Sequence, residues 1–176
     1  MFADCPTMKA TVRALLLASF CLPAAAQGAD APAAAYWSVW ADGDGGTHIS
    51  RCEMTSFALQ TFAPPAAPEW VLKLPDAVDD VTFAVQPVGW TGAWHKNPQP
   101  QWIVPLSGRW FVETTDGSRI EMGPGEVSFG GDQGARVVAG RIGHRSGIVG
   151  DEPAVLMVVQ LKATDDQHLG QACRFR

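Results

Sequence analysis

No stretch of this chain sustains a helical period, while its second half is a succession of short alternating runs broken by glycine turns. The runs 101–106, 109–114, 118–122 and 126–129 are separated by Ser107-Gly108, Asp116-Gly117 and Pro124-Gly125. Asp-Gly between alternating apolar residues is the strongest short-range hairpin signal. Upstream, 47–59, 70–74 and 81–88 read as strands, and 153–161 reads as the last one. The proline-rich stretch 63–68 and the glycine-rich stretch 130–143 read as loops. Many short strands without helices between them predict an all-β antiparallel barrel or sandwich.

The first residues carry an export signal rather than a piece of the fold. Lys9 and Arg13 precede the apolar run 14–22 and the small residues Ala24, Ala25 and Ala26, the order of a cleavable signal peptide spanning 1–26. Met8 directly precedes Lys9 and is a second candidate start. Cleavage predicts a periplasmic or secreted protein with no membrane insertion afterwards, because the apolar run is too short to span a bilayer. The 27–40 segment opens on Ala, Gly and Pro and reads as a flexible leader, which leaves 41–176 as a single domain.

Of the four cysteines, Cys52 and Cys173 survive cleavage, and an even count in an exported chain predicts that they pair. Losing Lys9, Arg13 and Asp4 moves the formal net charge from −5 to −6. An acidic chain with scattered cations is a poor partner for nucleic acid or for an anionic membrane.

One spacing carries the functional reading. Gly89, five residues, His95, one residue, Asn97, three residues, Gln101, six residues and Gly108 resemble the first motif of the cupin family, G-x5-H-x-H-x3-E-x6-G. Asn97 stands at the second histidine and Gln101 at the glutamate. Asp116-Gly117 and 124–127 are similar to the hairpin and turn that follow in many small cupins, Gly143-His144-Arg145 supplies a second-motif histidine, and 44–48 resembles the entry strand of one group of small exported cupins. The second motif departs from the family at Arg141 and Ile148, where a glycine and an asparagine are usual.

The resemblance implies a cupin-type double-stranded β-helix, a jelly-roll barrel, with His95, Asn97, Gln101 and His144 around a small-molecule ligand. Two readings stay open. In one, His95, Gln101 and His144 hold one divalent transition metal, Fe, Mn, Zn, Cu or Ni, and metal-assisted chemistry follows. In the other, the pocket is metal-free and the same side chains hydrogen-bond the ligand. Trp90 and Trp94 lead into His95 and are either a roof over the pocket or core.

Alternation puts Gln101 and Ile103 on one face of their strand and Trp102, Val104 and Leu106 on the other. Trp102 then packs in an outer layer or, with Trp110, serves assembly, the third class of function. Cupins commonly pair through sheet faces, so the resemblance also implies a homodimer. His48 reads as a capping histidine bonded near Asp44, and His168 as a solvated surface residue. No G-x-S-x-G and no phosphate-binding glycine motif occurs, which removes support from hydrolase and nucleotide-dependent readings.

Overall fold

The structure, a computed structural model, describes residues 30–162 and 170–175. The signal-peptide assignment and His168 lie outside them. The described residues form eleven strands and no helix: β1 (Ala34–Ala41), β2 (Thr47–Met54), β3 (Ala58–Gln60), β4 (Glu69–Val71), β5 (Val78–Gln86), β6 (Gln101–Ser107), β7 (Arg109–Thr114), β8 (Arg119–Met122), β9 (Ser128–Gly131), β10 (His144–Val149) and β11 (Ala154–Leu161). Among these residues no helix is long and apolar enough to cross a membrane.

The strands sort into a six-stranded sheet, ordered β2-β1-β9-β6-β11-β5, a three-stranded sheet, β10-β7-β8, and the small β3-β4 hairpin. Pairing is antiparallel except between β1 and β9. The sheets do not close into a barrel. They form a sandwich: Val39, Ile103, Ala154 and Leu156 of the large sheet share one core with Trp110, Val112 and Met122 of the small one. Trp110 is 2% exposed at the centre of that core, so its expected place on an outer assembly face is corrected. On β7 it is the alternating partner of Val112, and that face turns inward.

The start of the domain also moves. β1 lies between β2 and β9, inside the segment read as a flexible leader, because paired edges on both sides supply what an Ala-rich composition lacks. Ser107-Gly108 and Pro124-Gly125 prove to be crossings between the sheets rather than hairpins, since β6 does not pair with β7 nor β8 with β9. Asp116-Gly117 does close a hairpin: Thr114 and Ser118 pair, and Gly117 takes φ of 85°. Pro105, which has no N–H to donate, sits beyond the last β6 residue paired with β9 and beside an irregularity in β11.

The large sheet is covered on its second face by a cluster of Tyr36, Cys52, Trp102, Phe129, Leu161 and Phe175. Phe175 comes from the C-terminal tail and packs 4.8 Å from the Trp102 ring, while Tyr36 Oη accepts from its N–H and donates to its carbonyl. The Cys52–Cys173 disulfide, with Cα atoms 5.5 Å apart, ties the tail to β2. It closes a separation of 121 residues, and a disulfide of this kind typically contributes about 2–4 kcal/mol of stability. Trp102 thus packs in an outer layer made by the same chain.

Candidate functional site

At one end of the sandwich the loop between β5 and β6 returns along the free edge of β10. Thr91 bridges Gly147 and His95 bridges His144, and the latter two exchange both backbone hydrogen bonds, at 2.8 and 2.7 Å. The approach requires Gly143. Its φ is 69°, and a Cβ there would stand 2.1 Å from the His95 carbonyl oxygen. The bridge brings the two imidazoles to 4.6 Å between ring centroids, His144 buried and His95 exposed.

Behind His144 is a buried relay of polar side chains. Asp132, fully buried, accepts from His144 Nδ1 at 2.7 Å through one oxygen, and from Asn97 N at 3.0 Å and Asn97 Nδ2 at 2.7 Å through the other. Asn97 Oδ1 accepts from Gln101 Nε2 at 2.6 Å, and Gln101 Oε1 accepts from Gln160 Nε2 at 3.1 Å. Burial by itself would raise the Asp132 pKa. The hydrogen bond and charge of His144, with the two donors of Asn97, outweigh burial and hold it below the ordinary 3.8. A carboxylate with three donors on it stays ionised and locks the His144 ring.

A cavity of about 140 Å³ opens between the sheets at this relay, and His95, Asn97, Gln101 and His144 all line it. The spacing read from the sequence therefore converges in space: Asn97 sits in the loop before β6, Gln101 on the first residue of β6, and His144 on the first of β10. Trp90, Trp110, Ser146 and Gln86 complete the polar part of the wall. Trp94 does not line the cavity. It is half-buried instead beside two cations, the guanidinium carbons of Arg141 and Arg145 lying 5.1 and 5.7 Å from its ring centroid.

Sequence reasoning missed Asp132, Gln86, Trp110, Ser146 and Gln160. Only Asp132 left a signal, as the sole acidic residue in the glycine-rich stretch 130–143. A Cβ on Gly130 would stand 2.3 Å from Asn97 Nδ2, so that glycine makes room for the relay.

Both imidazoles spend Nδ1 on an acceptor, His144 on Asp132 and His95 on the Ala93 carbonyl at 2.8 Å. Each ring is thereby oriented with Nε2 as its remaining nitrogen. No group of three His, Cys, Asp or Glu side chains able to hold a metal ion occurs among the described residues. The metal set available here is the two Nε2 atoms and Gln101 Oε1, none of them from an anionic side chain.

No family model matches the chain, and no curated protein does. Among solved structures it is similar to protein NMB1881 from Neisseria meningitidis, at 13% identity over 49% of this chain and 82% of that one, with a TM-score of 0.37. It is also similar to YhaK from Escherichia coli, at 16% identity over 52% of this chain and 38% of that one, with a TM-score of 0.40. Likeness at that level carries no weight for fold or function.

Proposed function

We propose that this is an exported cupin-type protein whose cavity binds a compact polar small molecule between His95, His144, Trp110 and Gln86, with Asp132 holding His144 in place. One observation carries the reading. Trp110 Nε1 and Gln86 Oε1 are buried without any hydrogen-bond partner, and both residues line the cavity that holds the two imidazoles. Buried polar groups are nearly always paired, and leaving one unpaired costs about 1–3 kcal/mol. A molecule that accepts from Trp110 and donates to Gln86 and an imidazole Nε2 supplies the missing partners. The cavity has room for about four or five water-sized groups, which sets the scale of that molecule.

The jelly-roll assignment rests on the sandwich together with the first-motif spacing, whose His95, Asn97 and Gln101 reach one cavity. The disulfide supports export.

A second reading is favoured by the committed Nδ1 atoms, since metal-binding histidines are oriented in the same way by carboxylates and carbonyls. His95, His144 and Gln101 would hold the divalent metal, which when bound would polarise a ligand oxygen as a Lewis acid. Gln101 Oε1 already accepts from Gln160, and both Asp132 oxygens are taken, so affinity would be modest.

Protein purified without a tag, unfolded and extracted, distinguishes the readings by mass spectrometry and elemental analysis. One organic molecule per chain is expected, and Trp110→Phe, which removes the N–H together with part of the indole ring, should weaken its retention about tenfold or more. Stoichiometric metal without an organic molecule would replace the first reading by the second. Neither species would overturn both.

A further inference from the structure

A second pocket, of about 400 Å³, opens where β1 begins, and it shares no lining residue with the cavity at His144. That volume falls within the roughly 300–1,000 Å³ of small-molecule sites. β9 starts opposite Trp37, whose N–H donates to the Val127 carbonyl at 2.8 Å. Ala34 and Ala35 run on past that point with β2 as their one strand neighbour among the described residues. Backbone direction repeats every two residues along a strand, so Ala35 turns its N–H and C=O the way Trp37 does, into the gap beside Gly125 and Glu126. An open backbone edge thus forms one wall of the pocket and a turn forms the other.

Two opposite charges adjoin one indole in this pocket without pairing with each other. The Arg51 guanidinium carbon lies 5.4 Å from the Trp37 ring centroid, and Glu126 Oε1 accepts from Trp37 Nε1 at 3.4 Å. Glu126 is fixed by a second bond, Oε2 accepting from the Gly123 N–H at 2.9 Å, and each oxygen has capacity for a further donor. Arg51 is exposed and forms no ion pair among the described residues, not even with Glu53 two positions along β2. We propose that this pocket is a second ligand site that takes a free α-amino acid with an apolar side chain, its carboxylate on Arg51 and its ammonium on Glu126. A simple anion would meet the like charge of Glu126 and a simple cation that of Arg51, whereas a zwitterion lying on Trp37 meets each with the opposite sign. Its charged ends also match the open donor and acceptor of Ala35, and Met54 and Val127 give its side chain an apolar contact.

Titration calorimetry of the mature chain with L-leucine and L-phenylalanine should show saturable binding at one site per chain. N-acetyl-L-leucine and L-leucinamide, each lacking one of the two charges, should bind about tenfold more weakly or worse than L-leucine. Arg51→Gln and Glu126→Gln should lose affinity to the same degree, the second keeping an oxygen for the Gly123 N–H. Arg109→Gln, which removes an exposed cation outside the pocket, should bind as the unaltered chain does. Failure of both amino acids to bind at millimolar concentration would overturn the proposal, as would blocked analogues that bind as well as L-leucine or an affinity that survives Arg51→Gln. Should Glu126→Gln fail to fold, Arg51→Gln and the two blocked analogues decide the matter by themselves.

Discussion

Two histidines of this protein sit against carboxylates at 2.7 Å, and they are used in opposite ways. His48, on β2, is held from both sides: Nε2 meets Asp42 in the β1–β2 turn and Nδ1 meets Asp116 in the β7–β8 hairpin at 2.9 Å, with Trp40 stacked 4.8 Å away. His144 is held from one side only. With both nitrogens taken, His48 has nothing left for a ligand and joins a turn of one sheet to a turn of the other. With Nε2 left over, His144 faces a cavity. Solvent separates them further, since His48 and its two carboxylates have side chains about a third exposed, while His144 and Asp132 are at 3% and 0%. One pair chemistry makes a latch at the surface and an oriented imidazole in the interior.

Removing each carboxylate is the most direct way to break the comparison, and the largest effect is expected inside. Asp132→Ala leaves His144 Nδ1 and two Asn97 donors buried without an acceptor and should cost about 3–5 kcal/mol in urea unfolding. A loss below about 1 kcal/mol would show that the relay does not hold this end of the sandwich.

Next comes Gln101→Glu. Without metal it sets a carboxylate against Asn97 Oδ1 in a buried site and should destabilise by about 1–3 kcal/mol. With a divalent cation added, a restored stability would favour the metal reading. Indifference in both conditions would place Gln101 outside the site.

At the surface, Gly117→Val forces a β-branched residue into the left-handed region, although nothing lies within 4 Å of the new Cβ. The cost is backbone strain of about 1–2 kcal/mol, read as a lower melting temperature. Since Gly117 follows Asp116, the same change should loosen the latch, and the His48 imidazole resonances should report it.

The smallest effect is the pH dependence of the latch. Partial burial alone would lower the His48 pKa, but hydrogen bonds to Asp42 and Asp116 and their charges raise it above 6.5. Its contribution is therefore complete below pH 6.5 and lost as pH rises through the raised value. The bond from His48 lowers Asp42 despite its burial, assisted by the Gly46 and Asp44 N–H groups. Asp116 is lowered as well, burial opposing and the Ser118, Thr114 and His48 bonds prevailing. Their contribution is present above 3.8 and lost as pH falls. His48→Gln should flatten the melting-temperature profile slightly on the alkaline side. An unchanged profile would show that solvent screens the latch completely.

Several of these features were legible in the chain because they depend only on neighbours in sequence. Period-two alternation separated Gln101 from Trp102, Asp116-Gly117 announced its hairpin, and the two cysteines outside the expected signal peptide announced their bond. The histidine at 48 was read as a cap bonded near Asp44, whereas it bonds Asp42 and, across the sandwich, Asp116. Strand β10 escaped notice because Gly147 interrupts its pattern, and that glycine is needed because a Cβ would stand 2.6 Å from the Phe111 ring. Asp132 escaped because a carboxylate in a glycine-rich loop looks solvated until the fold closes over it.

Local covalent chemistry and side-chain period, acting along the strand, thus determined the all-β class, the turn at Gly117 and the inward face of β6. Only the tertiary structure decided that an Ala-rich leader becomes a central strand, that Trp110 faces the core, and that His144 gains Asp132 while His48 loses both nitrogens to its neighbours. Those outcomes depend on which backbone edge finds a partner and which polar atom is left in the dark, and both are settled by residues far apart in the chain.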